Sequence, residues 1–214
     1  MSGSRGLIVG IAGGSAGGKS TLVRALRRRL SGHSVVLVHH DDYYRDLSRL
    51  PLAARAVHNF DRPSALDNRR LARDLRALAA GETIQAPRYD FRTHTRRPKL
   101  SLVRPAEVVL VEGMLLLAVP MLRELLDIAV FVDAPADLRL ARRIQRDLRP
   151  ARDRSVASVL RQYLSTVRPM HERHVQPSRR HADLIVTDAL DARQVERVAR
   201  LVRRRLARRS PGAS

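Results

Sequence analysis

Short apolar runs rich in Val and Ile recur at Leu7 to Ala12, Val35 to Val38, Val108 to Val111, Ile128 to Val132 and Leu184 to Val186. Runs of this length without polar alternation read as strands buried on both faces. Between them apolar residues return at helical spacing: Lys19 to Leu30, Ala65 to Ala80 with Leu71, Leu75 and Leu78 on one face and Gly81 as the stop, Asp137 to Leu148, Val156 to Val167, and Asp191 to Ala207. Strands alternating with helices predict an α/β fold, a five-stranded parallel sheet flanked by helices, with ligands outside the carboxyl ends of the strands. Residues 83–103 break the alternation. They read as a β-hairpin flap, Thr83 to Tyr89 going out and Lys99 to Val103 returning.

The first strand runs into Gly13-Gly14-Ser15-Ala16-Gly17-Gly18-Lys19-Ser20, followed by Thr21 and an apolar helix. Gly13, Gly18, Lys19 and Ser20 stand on the spacing of the phosphate-binding loop, in the strand-then-helix setting that the motif requires. Such a loop turns its N–H groups inward around phosphates, and the helix start adds partial positive charge. Lys19 reaches the outer phosphates, and the Ser20 hydroxyl is placed to ligate Mg²⁺. Only Lys19 and Lys99 are lysine among 41 basic residues, so one of two lysines falls where a compact ammonium is wanted.

Polar residues just after the strands are the next candidates: Asp41 and Asp42, Glu112, and, most weakly, Asp133. Five of the seven aromatic residues, Tyr43, Tyr44, Phe60, Tyr89 and Phe91, fall between positions 43 and 91. Rings near a phosphate site suit stacking on a flat base, with His94 and the tyrosine hydroxyls for its edge; the alternative is a satellite apolar cluster under the flap. Arginines at 142, 143, 146, 149, 152 and 154 form the densest basic stretch, and residues 142–155 read as a lid whose guanidinium groups close on the triphosphate.

At 214 residues the chain fits one domain, 1–207, with an Arg-rich disordered tail at 208–214. It has no cysteine, no apolar leader and no run of 18 apolar residues, from which a soluble, cytoplasmic protein without a membrane partner is expected. The net charge of +20 invites a nucleic-acid partner, but arginine spread over all solvated faces makes that the weaker reading.

Taken together, GIAGGSAGGKS, DDYY followed by Arg45, NFDRPSALD, PRYDFRTHTR, VLVEGMLLL, FVDAPADLRLARRIQRD, QYLSTVRPM and PSRRHADLIV resemble the uridine kinase (uridine-cytidine kinase) family of phosphate-loop kinases, in order over roughly residues 7–187. The resemblance implies transfer of the ATP γ-phosphoryl group to the 5′-hydroxyl of uridine or cytidine, giving UMP or CMP for pyrimidine salvage. It implies Asp41 as the carboxylate that takes the hydroxyl proton. It implies an ATP site of Gly13, Gly14, Ser15, Ala16, Gly17, Gly18, Lys19, Ser20 and Thr21 with Arg152 and Arg154, and Mg²⁺ on Ser20 and Glu112 with Asp41 close by. Asp61 would grip the ribose hydroxyls; Tyr89 and His94 would read the base between Phe60 and Phe91, with Tyr44 alongside. Arg143 and Arg146 would be catalytic lid arginines, Arg143 and Gln162 also touching the nucleoside. A homo-oligomer, a tetramer, is implied as well.

The chain departs from the pattern at Arg152-Asp153-Arg154, displaced by one residue around Pro150, at Gly17, and at Thr187 to Leu190. A phosphoribulokinase-like sugar-phosphate kinase is the rival: its acceptor phosphate would call on Arg88, Arg92, Arg96 and Arg97. A non-catalytic Arg-rich nucleic-acid-binding protein is the more distant alternative.

Overall fold

The computed structural model describes residues 5–56, 58–149 and 154–209. The strands are β1 (Leu7–Gly13), β2 (Val35–His39), β3 (Ile84–Ala86), β4 (Tyr89–Asp90), β5 (Thr95–Arg96), β6 (Ser101–Val103), β7 (Val108–Glu112), β8 (Ile128–Val132) and β9 (Leu184–Val186). The five apolar runs form one parallel sheet in the order β2-β7-β1-β8-β9. Along β1 the side chains alternate between two cores. Leu7, Val9 and Ile11 pack with α1 (Lys19–Arg29) and the last helix, whereas Ile8 and Ala12 face the layer that carries the flap. Both faces are covered, which is why these strands lack polar alternation.

The helices after α1 are α2 (Leu52–Ala56), α3 (Asn68–Ala79), α4 (Pro120–Arg123), α5 (Ala136–Asp147), α6 (Val156–Gln162), α7 (Arg168–Met170), α8 (Gln176–Ser178) and α9 (Ala192–Ala207). Helix α3 starts three residues later than its apolar period suggests, because Asp67 caps it by accepting from the Arg70 amide and Pro63–Ala65 is a separate 3₁₀ turn. The predicted helix ending at Val167 instead runs on to Ser178. Pro169 and Pro177 would each clash with a carbonyl four residues back in a regular α-helix. Widened π turns at Tyr163–Val167 and His171–Val175 precede α7 and α8 and carry the chain past both.

The flap is a hairpin within a hairpin. β3 pairs antiparallel with β6, and beyond them β4 pairs with β5. The Asp42 carboxylate ties it to the turn after β2, accepting from the Tyr89 amide at 3.1 Å and from Arg88 at 3.3 Å. At the other end of the chain, Arg208 and Arg209, assigned to the tail on sequence, close α9: Arg209 bonds Asp127 and the carbonyls of Arg5 and Gly6. Residues 210–214, the rest of that tail, lie outside the described residues, as do Pro150 and Arg152 of the lid segment.

Candidate active site

Strand register sets out the site. Ile11, Glu112 and His39 are lateral neighbours across β1, β7 and β2, so the chain leaves all three strands along one edge. Gly13 ends β1 at φ 138°, where a Cβ would lie 2.3 Å from the Val132 carbonyl oxygen; only glycine makes this turn. Gly14, Ser15, Ala16, Gly17 and Gly18 complete the loop, and Lys19, Ser20 and Thr21 open α1. No side chain caps that helix start and no acid lies in its first turn, so its positive end is uncompensated. Lys19 Nζ folds back to donate to the Gly13 and Gly14 carbonyls, 3.0 Å each, so the ammonium sits over the loop it would serve. Burial lowers its pKa, opposed by Asp41 and Glu112.

Ser20 Oγ lies 3.2 and 3.1 Å from the two oxygens of Glu112, a buried carboxylate. His39 Nδ1 holds the Oε1 edge at 2.9 Å. Burial would lift the Glu112 pKa, but the His39 contact, Lys19 and Ser20 outweigh it and the carboxylate is held low; in return that hydrogen bond raises His39. An ionised carboxylate beside a hydroxyl is an all-oxygen donor set of the kind Mg²⁺ takes, completed by phosphate oxygens. Among the described residues no group of three or more His, Cys, Asp or Glu could hold a metal ion.

Asp41 is exposed in the 3₁₀ turn His40–Tyr43 that follows β2. Its charge acts on Lys19 on one side and on Tyr44 and Asp61 on the other. Asp61 is buried; desolvation raises its pKa, with Arg143 and a hydrogen bond from Thr166 pulling the other way. Asp133 is not part of this group, because Arg179 holds it at 2.8 Å.

The aromatic residues meet under the flap. Tyr44 packs edge-on to Phe60 at 5.4 Å and against Tyr89 at 5.3 Å, Phe91 sits edge-on to Tyr89 at 5.3 Å, and the His94 ring lies flat on Phe60 at 4.8 Å. A satellite cluster and a base pocket share this packing, but one feature favours the pocket: the Tyr89 hydroxyl is buried with no hydrogen-bond partner among the described residues. Burial and the neighbouring Arg154 and Arg55 push the His94 pKa down, leaving a neutral ring near neutral pH.

On the lid side, Arg143 donates to Ser15 Oγ at 3.0 Å and to Gln162 Oε1 at 2.9 Å, joining the phosphate loop to α6. Arg154 reaches the same Gln162 oxygen at 2.7 Å, and Arg146 binds Asp147 at 2.8 Å. Asp147 is the site residue that composition and position did not single out. It is almost fully buried and gathers Arg143, Arg146 and Arg154 within 4.0 Å. Its signal was an acid four residues after Arg143, at the end of a helix whose other acid, Asp137, lies in the first turn. His39 was likewise missed, being one polar residue at the end of an apolar run.

The model of the Phosphoribulokinase / Uridine kinase family matches residues 8–195. The chain belongs to this family. A protein named uridine kinase from Chloroflexus aurantiacus is 48% identical over 179 residues, 84% of this chain and 85% of that one. Another of that name, from Ligilactobacillus salivarius, is 44% identical over 182 residues, 85% of each. Solved structures share the fold: a D-glycerate 3-kinase from Cryptococcus neoformans at TM-score 0.60 and 16% identity, covering 82% of this chain and 80% of that one, and a shikimate kinase from Bacteroides thetaiotaomicron at TM-score 0.52 and 17% identity, covering 94% and 98%. The family name joins phosphoribulokinase and uridine kinase, and the acceptor side of the site bears on the choice between them. There the flap arginines are engaged internally. Arg88 binds Asp42, Arg96 binds Asp67 and the Tyr44 carbonyl, and Arg97 lies 3.9 Å from Asp90. Of the four that an acceptor phosphate would call on, only Arg92 has no side-chain partner among the described residues.

Proposed function

We propose that this chain is an ATP-dependent uridine kinase that phosphorylates the 5′-hydroxyl of uridine or cytidine. The observation that carries the reading is the placement of Asp41, whose field reaches both the Lys19 ammonium of the phosphate loop and the buried carboxylate of Asp61. A nucleoside with its ribose diols on Asp61 presents its 5′-oxygen toward Asp41 and the γ-phosphate beyond. The unpartnered Tyr89 hydroxyl and the neutral His94 ring suit the edge of a pyrimidine, and the engaged flap arginines disfavour a sugar phosphate.

In this reading the loop amides and Lys19 hold the β- and γ-phosphates in line with the acceptor. Asp41 takes the 5′-hydroxyl proton as the oxygen–phosphorus bond forms, the bond to the bridging β–γ oxygen breaks, and ADP leaves. Arg143 and Arg146 stabilise charge spread over the transferring group, so the catalysis is positioning plus electrostatics. Ser20 and Glu112 would hold Mg²⁺, which when bound neutralises charge between the β- and γ-phosphates. Arg154 would close on the triphosphate together with Arg152, which lies outside the described residues.

A coupled assay of ADP release across uridine, cytidine, thymidine, adenosine and ribulose 5-phosphate tests the reading. Turnover on uridine or cytidine above all others is expected. Turnover on ribulose 5-phosphate alone would transfer the chain to the sugar-phosphate branch.

A further inference from the structure

Arg139, in the first turn of α5, is among the most buried charged residues of the chain, 7% exposed, and nothing above uses it. Its Nε donates to the Ala134 carbonyl at 3.0 Å. The rest of the guanidinium lies against the phosphate loop at Gly14. A Cβ at Gly14 would come within 2.7 Å of Arg139 Nη1, and one at Gly17 within 3.7 Å of its Cδ. The lack of a side chain at Gly14 lets the arginine seat itself there, whereas a Cβ at Gly17 would meet the Gly14 carbonyl oxygen first, at 2.9 Å.

A buried charge is normally paired. Among the described residues no carboxylate oxygen lies within 4.0 Å of this guanidinium. Asp133, whose charge acts on it, is held by Arg179 at 2.8 Å. Arg139 itself lines a cavity of about 290 Å³ together with Ala136, Tyr163, Arg168, His171 and Glu172, and the one carboxylate there is bound by Arg168 at 2.9 Å. Desolvation lowers the Arg139 pKa, yet guanidinium is basic enough to stay charged. The molecule therefore keeps beside the loop a cation with no direct carboxylate partner among the described residues.

We propose that Arg139 is a positioning residue for the phosphate donor, bracing the Gly14 to Gly17 turn from behind and supplying positive charge that is neutralised only when a nucleoside triphosphate fills the loop. It touches the loop, not the nucleotide. The proposal rests on the reading of that loop as a triphosphate cradle. It also gives a reason for Gly14 beyond the fixed positions of the motif.

Calorimetric titration of the full chain with ATP, and separately with uridine, tests it in Arg139→Met, which keeps bulk without charge, and Arg139→Lys, which keeps charge. Arg139→Met is expected to raise the Kd for ATP about tenfold or more, the size of a unit charge acting at a few ångströms through a partly screened interior. Arg139→Lys should stay within about threefold of the parent, and uridine binding should be unchanged in both. ATP binding in Arg139→Met at the parent level, an equal loss in Arg139→Lys, or a parallel loss of uridine binding would overturn the proposal. If Arg139→Met does not fold, Gly14→Ala substitutes for it by pressing a methyl group on the guanidinium: weakened ATP binding with uridine retained is expected, and parent-level ATP binding overturns the proposal. A parent protein that binds no ATP would instead remove the cradle reading, and this proposal with it.

Discussion

Ser20 and Glu112 stand 92 positions apart in the chain, yet the serine hydroxyl lies within 3.2 Å of both oxygens of the carboxylate. Parallel pairing of β1 with β7 brings them together, since the loop after one strand meets the last residue of its neighbour. If this pair holds Mg²⁺, Ser20→Ala should raise the Mg²⁺ concentration needed for half-maximal rate, and Glu112→Gln should raise it further. Rate against Mg²⁺ at saturating ATP is the measurement; an unchanged requirement in both variants would place the metal elsewhere.

Asp61→Ala should lower kcat/KM for uridine by about tenfold to a hundredfold and that for 2′-deoxyuridine, which keeps only the 3′-hydroxyl, by less, because a carboxylate that grips hydroxyls discriminates through the bonds it loses. ATP affinity should hold. Equal losses for the two nucleosides would take Asp61 out of ribose recognition.

Asp147→Asn leaves the volume and removes the charge that gathers Arg143, Arg146 and Arg154. The guanidinium groups then lose their common anchor, and kcat should fall by about tenfold to a hundredfold with a smaller change in uridine KM. A stability loss with kcat intact would make Asp147 a folding residue only.

Stability should depend on pH through His171, which burial pushes down to about 4. An unfolded histidine titrates near 6.5, so between the two values the unfolded chain binds the extra proton. The contribution is complete above about pH 6.5 and is lost toward pH 4, by up to about 3 kcal/mol. His40, also lowered by burial, acts in the same sense, whereas His39, raised by Glu112, contributes stability that is lost as pH rises through its folded value. Urea midpoints at pH 7 and pH 5 should diverge in the parent and less so in His171→Gln; equal divergence would contradict the assignment.

The sheet was legible because each of its strands is an apolar run, and Lys19, Asp41 and Glu112 because they follow or end strands, a place that topology makes functional. The loop was legible because glycine is demanded by dihedral angle and lysine by charge. Less visible was anything that depends on cross-chain pairing. His39 has meaning only beside Glu112, Asp147 only beside the lid arginines, and Arg139 only against Gly14. The helix past Val167 escaped for another reason: Pro169 and Pro177 carry a stop signal that two π turns absorb. Arg88, Arg96 and Arg97 show the reverse case, arginines that suggest an anion site in sequence and are bound internally in the fold.

The central claim is phosphoryl transfer to a nucleoside 5′-oxygen with Asp41 as the proton acceptor. Parent and Asp41→Asn proteins are incubated with Mg²⁺, uridine and ATP radiolabelled at the γ-phosphate, and the products are separated. The parent should place the label in UMP and none in product when 5′-deoxyuridine replaces uridine, and Asp41→Asn should still bind ATP while transferring about a hundredfold to ten-thousandfold more slowly. Label released only as inorganic phosphate, or parent-like transfer by Asp41→Asn, would contradict the account.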